Sequence, residues 1–408
     1  MKIAVIGAGA SGVFFAANLN CGARIFEANA SALKKLLLTG GGRCNFTNAK
    51  ISPGRLSEYY PRGANNLRKC IFDFGPKEVA ESFEDMGVIS KEEADGRIFP
   101  ASDKASDVAG ALMRRARERG SIFVFNSSAK SVSRVENGFE ISFSNAGAER
   151  FDAVVFAVGG AWTAPLRDSL IKLGHSFEPP VPSLFALKAD MRQFPDFKSG
   201  ISVPKAKISA KFGAKKLCAE GALLFAHFGL SGPAALKFSS LAARELAACN
   251  YSCAAHINFA PQLTAAEVEG RIAAARTVHA KKLLKNFCPI ELPSGLWLSI
   301  LKKSSVPDDM AYSSLDKISE RKIVQNLTEF AFDITGRAFE GGEFVTCGGL
   351  CRREVDFSTM QSRIQPGLFF LGECLDIDAI TGGFNLHAAW STAKVCANHI
   401  NKKLLEKF

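Results

Sequence analysis

The stretch Met1–Asn29, MKIAVIGAGASGVFFAANLNCGARIFEAN, decides the fold. Lys2 to Ile6 reads as a short buried strand. Gly7, Gly9 and Gly12 follow it as G-x-G-x-x-G and open a helix from Ser11 to about Leu19, which Gly22 ends. Arg24 to Phe26 is a second strand, closed by Glu27, 20 positions after the first glycine. A strand before the glycines, a helix through them and an acid at that distance make a dinucleotide-binding βαβ unit. The glycines allow a tight turn and let backbone approach a pyrophosphate, while the helix start offers free N–H groups and a positive dipole end. Glu27 can accept from both hydroxyls of an adenosine ribose and would repel a 2′-phosphate. FAD or NAD therefore fits better than NADP, with Gly7, Ala8, Gly9, Ala10, Ser11, Gly12, Glu27 and Ala28 around the ADP half.

Working outward, LLLTGGGRCNFTN (Leu36–Asn48) comes next, then a polar, Arg-rich region to about Gly63. Helical patterns cover Asn66–Phe72 and Lys77–Met86, and a further helix is read with its cap at Ser106. Ile122–Phe125, Ala129–Val135 and Phe139–Ser144 read as short strands around an Asn137-Gly138 turn, a meander over about 122–150. Phe151–Val158 is a buried strand ending in Gly159-Gly160. From Pro179 the texture changes. Alternating segments at Leu184–Ala189 and Lys205–Phe212 precede a helix start at Ser231-Gly232-Pro233 and helical stretches at Ala265–Phe287 and Asp316–Asn326. The tail returns to nucleotide-binding texture, with a strand ending at Gly372, a loop carrying Glu373, Asp376 and Asp378, and a helix opened by Thr381-Gly382-Gly383. The predicted fold is α/β: a Rossmann-like nucleotide-binding domain, 1–185 and 336–408, interrupted by a β-plus-helical insert over 186–335.

The 408 residues include 47% apolar types, and no run approaches the roughly 18 apolar residues of a membrane span. The apolar segment before the first glycines is too short for a signal peptide. Eleven cysteines, an odd number without framework spacing, read as reduced thiols of a cytoplasmic protein. The net charge of +11 is spread along the chain. Its densest run, KAKISAKFGAKK (Lys205–Lys216), alternates as a half-buried strand with a solvated lysine face; an anionic or nucleic-acid partner is the alternative.

Three further features carry chemistry. Gly372-Glu373 with Gly382-Gly383-Phe384-Asn385 offers an acid for a sugar-chain hydroxyl and a helix N-terminus for the electron-rich edge of a ring. Val158-Gly159-Gly160 permits another close backbone approach. His227 and His387 are the candidate proton donors, with a structural histidine as the plain reading of each. Cys347 and Cys351 lack both C-x-x-C spacing and accompanying histidines, which argues against zinc.

TGGGRCNFTN, DGRIFPASDKASDV, EGALLFAHFGLSGPAAL and the long block from Gly348 to Trp390 stand in one order along essentially the whole chain. They resemble the YhiN/BaiN-like flavoproteins, the aminoacetone oxidase family of FAD-binding enzymes. The resemblance implies a two-dinucleotide-binding-type FAD (Rossmann-like) domain with an inserted β-barrel and helical domain, non-covalently bound FAD, and oxidoreductase activity on a small molecule. It implies that Thr39, Gly40, Gly41, Gly42, Arg43, Cys44 and Asn45 lie along the pyrophosphate and flavin, Arg43 as fixed charge, and that Gly372, Glu373, Asp378, Gly382, Gly383, Phe384 and Asn385 hold the ribityl chain and ring. Against that pattern, the loop after Gly160 is short, and His387 stands where relatives tend to carry glutamine. The expected reaction is hydride transfer between substrate and flavin N5, with NAD(P)H as a transient reductant or O2 as the acceptor. A flavoprotein acting on RNA and a non-catalytic flavin sensor are the alternatives.

Overall fold

The computed structural model describes residues 1–145, 147–194, 200–339 and 344–406. Two compact units emerge: Met1–Pro180 with Val345–Phe408, and Val181–Phe344. The sequence reading placed the insert at 186–335.

The first unit is built on a seven-stranded sheet. Its strands are β1 (Ile3–Ile6), β2 (Arg24–Phe26), β3 (Ile122–Val124), β4 (Ala153–Phe156), β5 (Val355–Asp356), β6 (Gln361–Ser362) and β7 (Leu368–Phe370), in the spatial order β5-β6-β7-β4-β1-β2-β3. The five from β7 to β3 are parallel, and β5 and β6 add an antiparallel edge. All four residues of IAVI in β1 and of AVVF in β4 are buried, because helices or loops cover both faces of a parallel sheet.

Helix α1 (Ala10–Ala17) packs between α3 (Ala105–Glu118) and α4 (Phe384–Leu405). Its Phe14 is the hub of an aromatic cluster, 5.1 Å from Trp390 and 5.8 Å from both Phe74 and Phe83, centroid to centroid. Trp390 spends its indole N–H on the Phe46 carbonyl at 2.8 Å, which ties the segment after the second glycine run to α4.

Elements of this unit differ from the sequence reading. Ile122–Val124 joins the main sheet beside β2, so the meander proper is Ala129–Val135, Gly138–Phe143 and Ala148–Phe151. Helix α3 is capped at Lys104, not Ser106, and starts at Ala105. At this start the Ala105 N–H donates to the Gly42 carbonyl at 2.8 Å and the Asp107 N–H to the Lys104 carbonyl at 3.1 Å, which places the first turn ahead of Ser106.

The second unit holds a closed six-stranded barrel, bearing out the barrel expectation. Its order is Leu187–Ala189, Gly229–Ser231, Lys215–Ala226, Ser202–Phe212, Cys253–Asn258 and Phe330–Arg337, closing back on the first strand. Ala206, Ile208 and Ala210 point inward and the intervening lysines outward. Helices Gly232–Leu241, Ala243–Ala248, Ala265–Val278, Ser294–Lys303 and Lys317–Thr328 complete the unit. The helix expected to reach Phe287 ends at Val278; after it Leu284 turns inward, and its carbonyl takes the Trp297 indole N–H at 2.6 Å. No helix among the described residues is long and apolar enough to cross a membrane.

Helix α4 also buries His387 completely. Its Nδ1 lies 2.7 Å from Thr47 Oγ1, while Nε2 is buried without a hydrogen-bond partner. Burial pushes the imidazole down to about 3, so it stays neutral when folded. Between about 3 and 6.5 the unfolded chain then binds a proton that the native state refuses, and stability falls as pH falls through that window. His387→Gln removes this dependence. Its unfolding free energy, from urea titrations at pH 6, 5 and 4, is expected to fall less steeply than wild type by up to about 1.4 kcal/mol per pH unit. Equal slopes would contradict the buried neutral histidine.

Candidate functional site

The carboxyl ends of β1, β2, β4 and β7 share one edge of the sheet, where open α/β sheets form their binding crevice, and Gly7–Gly12, Glu27, Val158–Gly160 and Gly372 follow them directly. Their roles differ. Gly7 has φ +104, and a methyl group placed on it would sit 2.5 Å from the Ala157 carbonyl oxygen. One on Gly12 would sit 2.2 Å from the Gly7 oxygen. Those two glycines exist for packing. Gly9 is open: its added methyl group would meet only the Ala157 oxygen, at 3.9 Å. The second glycine thus leaves room for a ligand over the start of α1, whose first-turn N–H groups lack intrahelical partners.

Glu27 is already oriented. One carboxylate oxygen accepts from the Ala8 N–H at 2.9 Å, the other from Asn29 N and Nδ2 at 2.9 and 2.7 Å. These bonds fix the carboxylate beside the first glycine turn and leave lone pairs for sugar hydroxyls. Ala28 beside it is exposed.

The run Thr39–Asn45 forms a tight turn with Gly40, Gly41, Gly42 and Cys44 all at positive φ. Nothing lies within 4 Å of a methyl group placed on Gly41, and only the Leu37 oxygen at 4.0 Å for Gly42. Gly40 is the packed member, where the methyl group would meet Asn45 N at 2.8 Å and the Phe99 ring at 3.1 Å.

Val158-Gly159-Gly160 and the C-terminal loop meet each other. Only Glu373 Oε2 lies near an added methyl group on Gly159, at 3.5 Å, whereas one on Gly160 would strike Thr346 Oγ1 at 2.1 Å. Glu373 accepts from the Thr346 N–H at 2.8 Å and faces Lys35 of α2 (Lys34–Leu38) at 3.6 Å. The Gly372 N–H is held by Thr392 Oγ1 at 3.0 Å, and Ser11 packs against Gly372. Lys35, Thr346 and Thr392 carried no sequence signal, because their partners lie far along the chain or one helix away.

Several side chains expected on the cofactor are engaged elsewhere. Arg43 donates to Glu93 at 2.7 Å, lies 3.5 Å from Asp103, and stacks 4.0 Å over the Phe99 ring, pressing that ring against Gly40. Glu93 and Asp103, which also pair with Arg97 and Lys91, hold its guanidinium, so it acts as a clamp behind the glycine turn. Asp378 is buried and paired with Arg62 through both oxygens. Phe384 stacks on Tyr59 at 4.4 Å. Asn385 uses its amide on Ala379 N and O, both at 2.9 Å. Gly382 and Gly383 are packing glycines against Phe384, Thr47 and Asn45. In the orientation its neighbours satisfy, the Asn45 oxygen accepts from the Gly383 N–H at 3.1 Å. The two short stretches therefore brace one another and form a half-buried lip at 381–386.

Cys44 is fully buried, and burial raises its thiol to about 12, which suits packing and not redox chemistry. The short loop after Gly160 is pinned by Trp162, which donates to the Cys374 carbonyl at 3.0 Å. His387 is a core side chain without access. His227 is exposed, set edge-on to Phe228 at 5.1 Å, and belongs to the barrel unit.

The donor set fits a dinucleotide cofactor: open backbone at Gly9, Gly41, Gly42 and Gly159, an aimed acid at Glu27, and a helix start facing the crevice. Comparison with known proteins agrees. One relative, the Escherichia coli ribosomal RNA dihydrouridine synthase, is 28% identical over 97% of this chain and 97% of its own. Another, the 3-dehydro-bile acid Δ4,6-reductase of Clostridium scindens, is 28% identical over 96% and 97%. The solved 3-ketosteroid Δ1-dehydrogenase of Sterolibacterium denitrificans shares the fold, with a TM-score of 0.52, 14% identity, and coverage of 98% of this chain and 99% of that one. Residues 1–399 match the HI0933-like protein Rossmann domain, and the chain belongs to that family of FAD-dependent oxidoreductases, the YhiN/BaiN flavoproteins.

Proposed function

We propose that the protein is an FAD-dependent reductase that saturates a carbon–carbon double bond conjugated to a carbonyl, and that its substrate is the uracil ring of uridine in RNA. The observation that carries the reaction is the pair of full-length relatives, both 28% identical. Their named substrates are unrelated, yet both names describe that one reaction. Uracil offers C5=C6 conjugated to the C4 carbonyl, and a 3-oxo-Δ4,6 steroid offers its dienone. The net charge of +11 favours the polyanionic substrate of the two.

In this reading the first turn of α1, reached over Gly9, holds the pyrophosphate, and Glu27 accepts from the adenosine ribose. Gly41, Gly42 and Gly159 keep backbone flush beneath the cofactor, and Glu373 takes a ribityl hydroxyl. Arg43 holds the glycine turn through Phe99. FAD, when bound, supplies the two-electron hydride store at N5, with NAD(P)H docking transiently as reductant. Hydride addition to an enone also requires a proton at the carbon beside the carbonyl. His387, sealed in the core, does not supply it.

The two kinds of glycine separate cofactor binding from folding. Gly9→Val is expected to keep the wild-type melting temperature of the flavin-free protein and to lose FAD at least tenfold in affinity. Gly12→Ala is expected to lower stability by about 2 kcal/mol through overpacking. Flavin titration and thermal melts of both check this, and normal FAD affinity in Gly9→Val would remove the pyrophosphate assignment.

Stopped-flow kinetics test the reaction. NADH or NADPH should bleach the flavin near 450 nm, and uridine-containing RNA should restore it anaerobically, with dihydrouridine as product. Reoxidation by a 3-oxo-Δ4 steroid and not by RNA would overturn the RNA assignment and keep the reaction class.

A further inference from the structure

The barrel carries a charged face that the cofactor site does not use. Residues 202–226 hold five lysines and one acid, Glu220, so this hairpin supplies +4 of the chain's +11. The pairing register fixes where the charges stand. Ala206, Ile208 and Ala210 fill the barrel interior, which turns Lys205, Lys207, Ser209 and Lys211 outward in one row, about 20 Å long. On the neighbouring strand Lys216 lies directly opposite Lys211, Cys218 opposite Ser209, and Glu220 opposite Lys207. On the other side His256, exposed, stands opposite Ser209.

Glu220 pairs with Lys207 at 3.3 Å, and Glu245 pairs with Lys215. Lys205, Lys211 and Lys216 are exposed and have no carboxylate partner among the described residues. Asp333 faces Ala254, two strands away from Lys211. Two like charges directly opposite on a sheet repel, and no carboxylate among the described residues pairs with Lys211 or Lys216. Such a row is complementary to a line of phosphates, which carry one charge per nucleotide and shed counterions when lysines replace them.

We infer that the outward lysine row Lys205, Lys207, Lys211 and Lys216 is a docking surface for the phosphate backbone of single-stranded RNA. This rests on the reading that RNA carries the substrate. The row positions the strand by charge, without base recognition, and leaves sequence choice to the site that takes the ring.

The test is fluorescence anisotropy of a labelled uridine-rich oligoribonucleotide with flavin-loaded protein across 50–300 mM KCl. The variant is the triple substitution Lys205→Gln, Lys211→Gln and Lys216→Gln, with Lys69→Gln, Lys77→Gln and Lys172→Gln as an equal-charge control. The triple variant is expected to lose about 2 from the slope of log affinity against log salt, at roughly 0.7 per phosphate contact. That corresponds to about 100-fold weaker binding at 0.1 M salt. The control should keep the wild-type slope. Equal slopes for wild type and triple variant, or no salt-dependent binding by wild type, would overturn the surface. Turnover separates this from the reaction itself. RNA reduction with an unchanged KM in the triple variant would reject the surface and keep the function. Binding through the row without any reduction of RNA would keep the surface and reject the function.

Discussion

The nucleotide-binding unit depends on the bare backbone of Gly7 and Gly12 and its close approach to the Ala157 carbonyl. A methyl group on Gly12 would lie 2.2 Å from the Gly7 oxygen, and one on Gly7 would lie 2.5 Å from the Ala157 oxygen. Absence of side chains there lets α1 start immediately at the end of β1 and lie close against β4. That placement puts Phe14 among Phe74, Phe83 and Trp390. Trp390 in turn fixes Phe46 and with it the second glycine turn. A hydrogen-bonded and aromatic chain thus runs from the first glycine motif to the second, and both open onto the same crevice.

The crevice is built mainly from backbone. The side chains with the strongest chemistry nearby are already committed: Arg43 to Glu93 and Asp103, Asp378 to Arg62, Asn385 to the Ala379 backbone. Breaking the buried Arg62–Asp378 pair by losing one partner would cost about 3–5 kcal/mol, so Asp378 is a structural anchor before it is a ligand. What remains for a cofactor is N–H groups, open glycines and two oriented acids, Glu27 and Glu373. An environment of fixed backbone donors needs no rearrangement when a phosphate arrives, which suits a resident cofactor.

Much of this was legible in the chain. Four consecutive apolar residues before G-x-G-x-x-G and an acid 20 positions on fix the first βαβ unit, because both faces of a parallel strand must be covered. The alternation in Lys205–Phe212 announced a half-buried strand with its lysines outward, while the closed barrel came only from the family resemblance. The partners of individual side chains were not legible. Arg43 finds Glu93 and Asp103 from 50 and 60 residues away, and Arg62 finds Asp378 across 316. A charged residue beside three glycines looks like a phosphate ligand until the carboxylates that hold it are placed. Ile122–Val124 was assigned to the meander because short strands share one pattern, and only pairing with β2 distinguishes them.

The central claim is that the first and second glycine turns together carry FAD, with Glu27 at its ribose. A crystal structure of the flavin-saturated protein tests this most directly. The account predicts the pyrophosphate over Gly9 at the start of α1, Glu27 within hydrogen-bond distance of the adenosine ribose hydroxyls, and the Arg43–Glu93 pair intact. FAD density that left Gly9 and Glu27 uncontacted, or an Arg43 guanidinium released from Glu93 onto the phosphates, would contradict it.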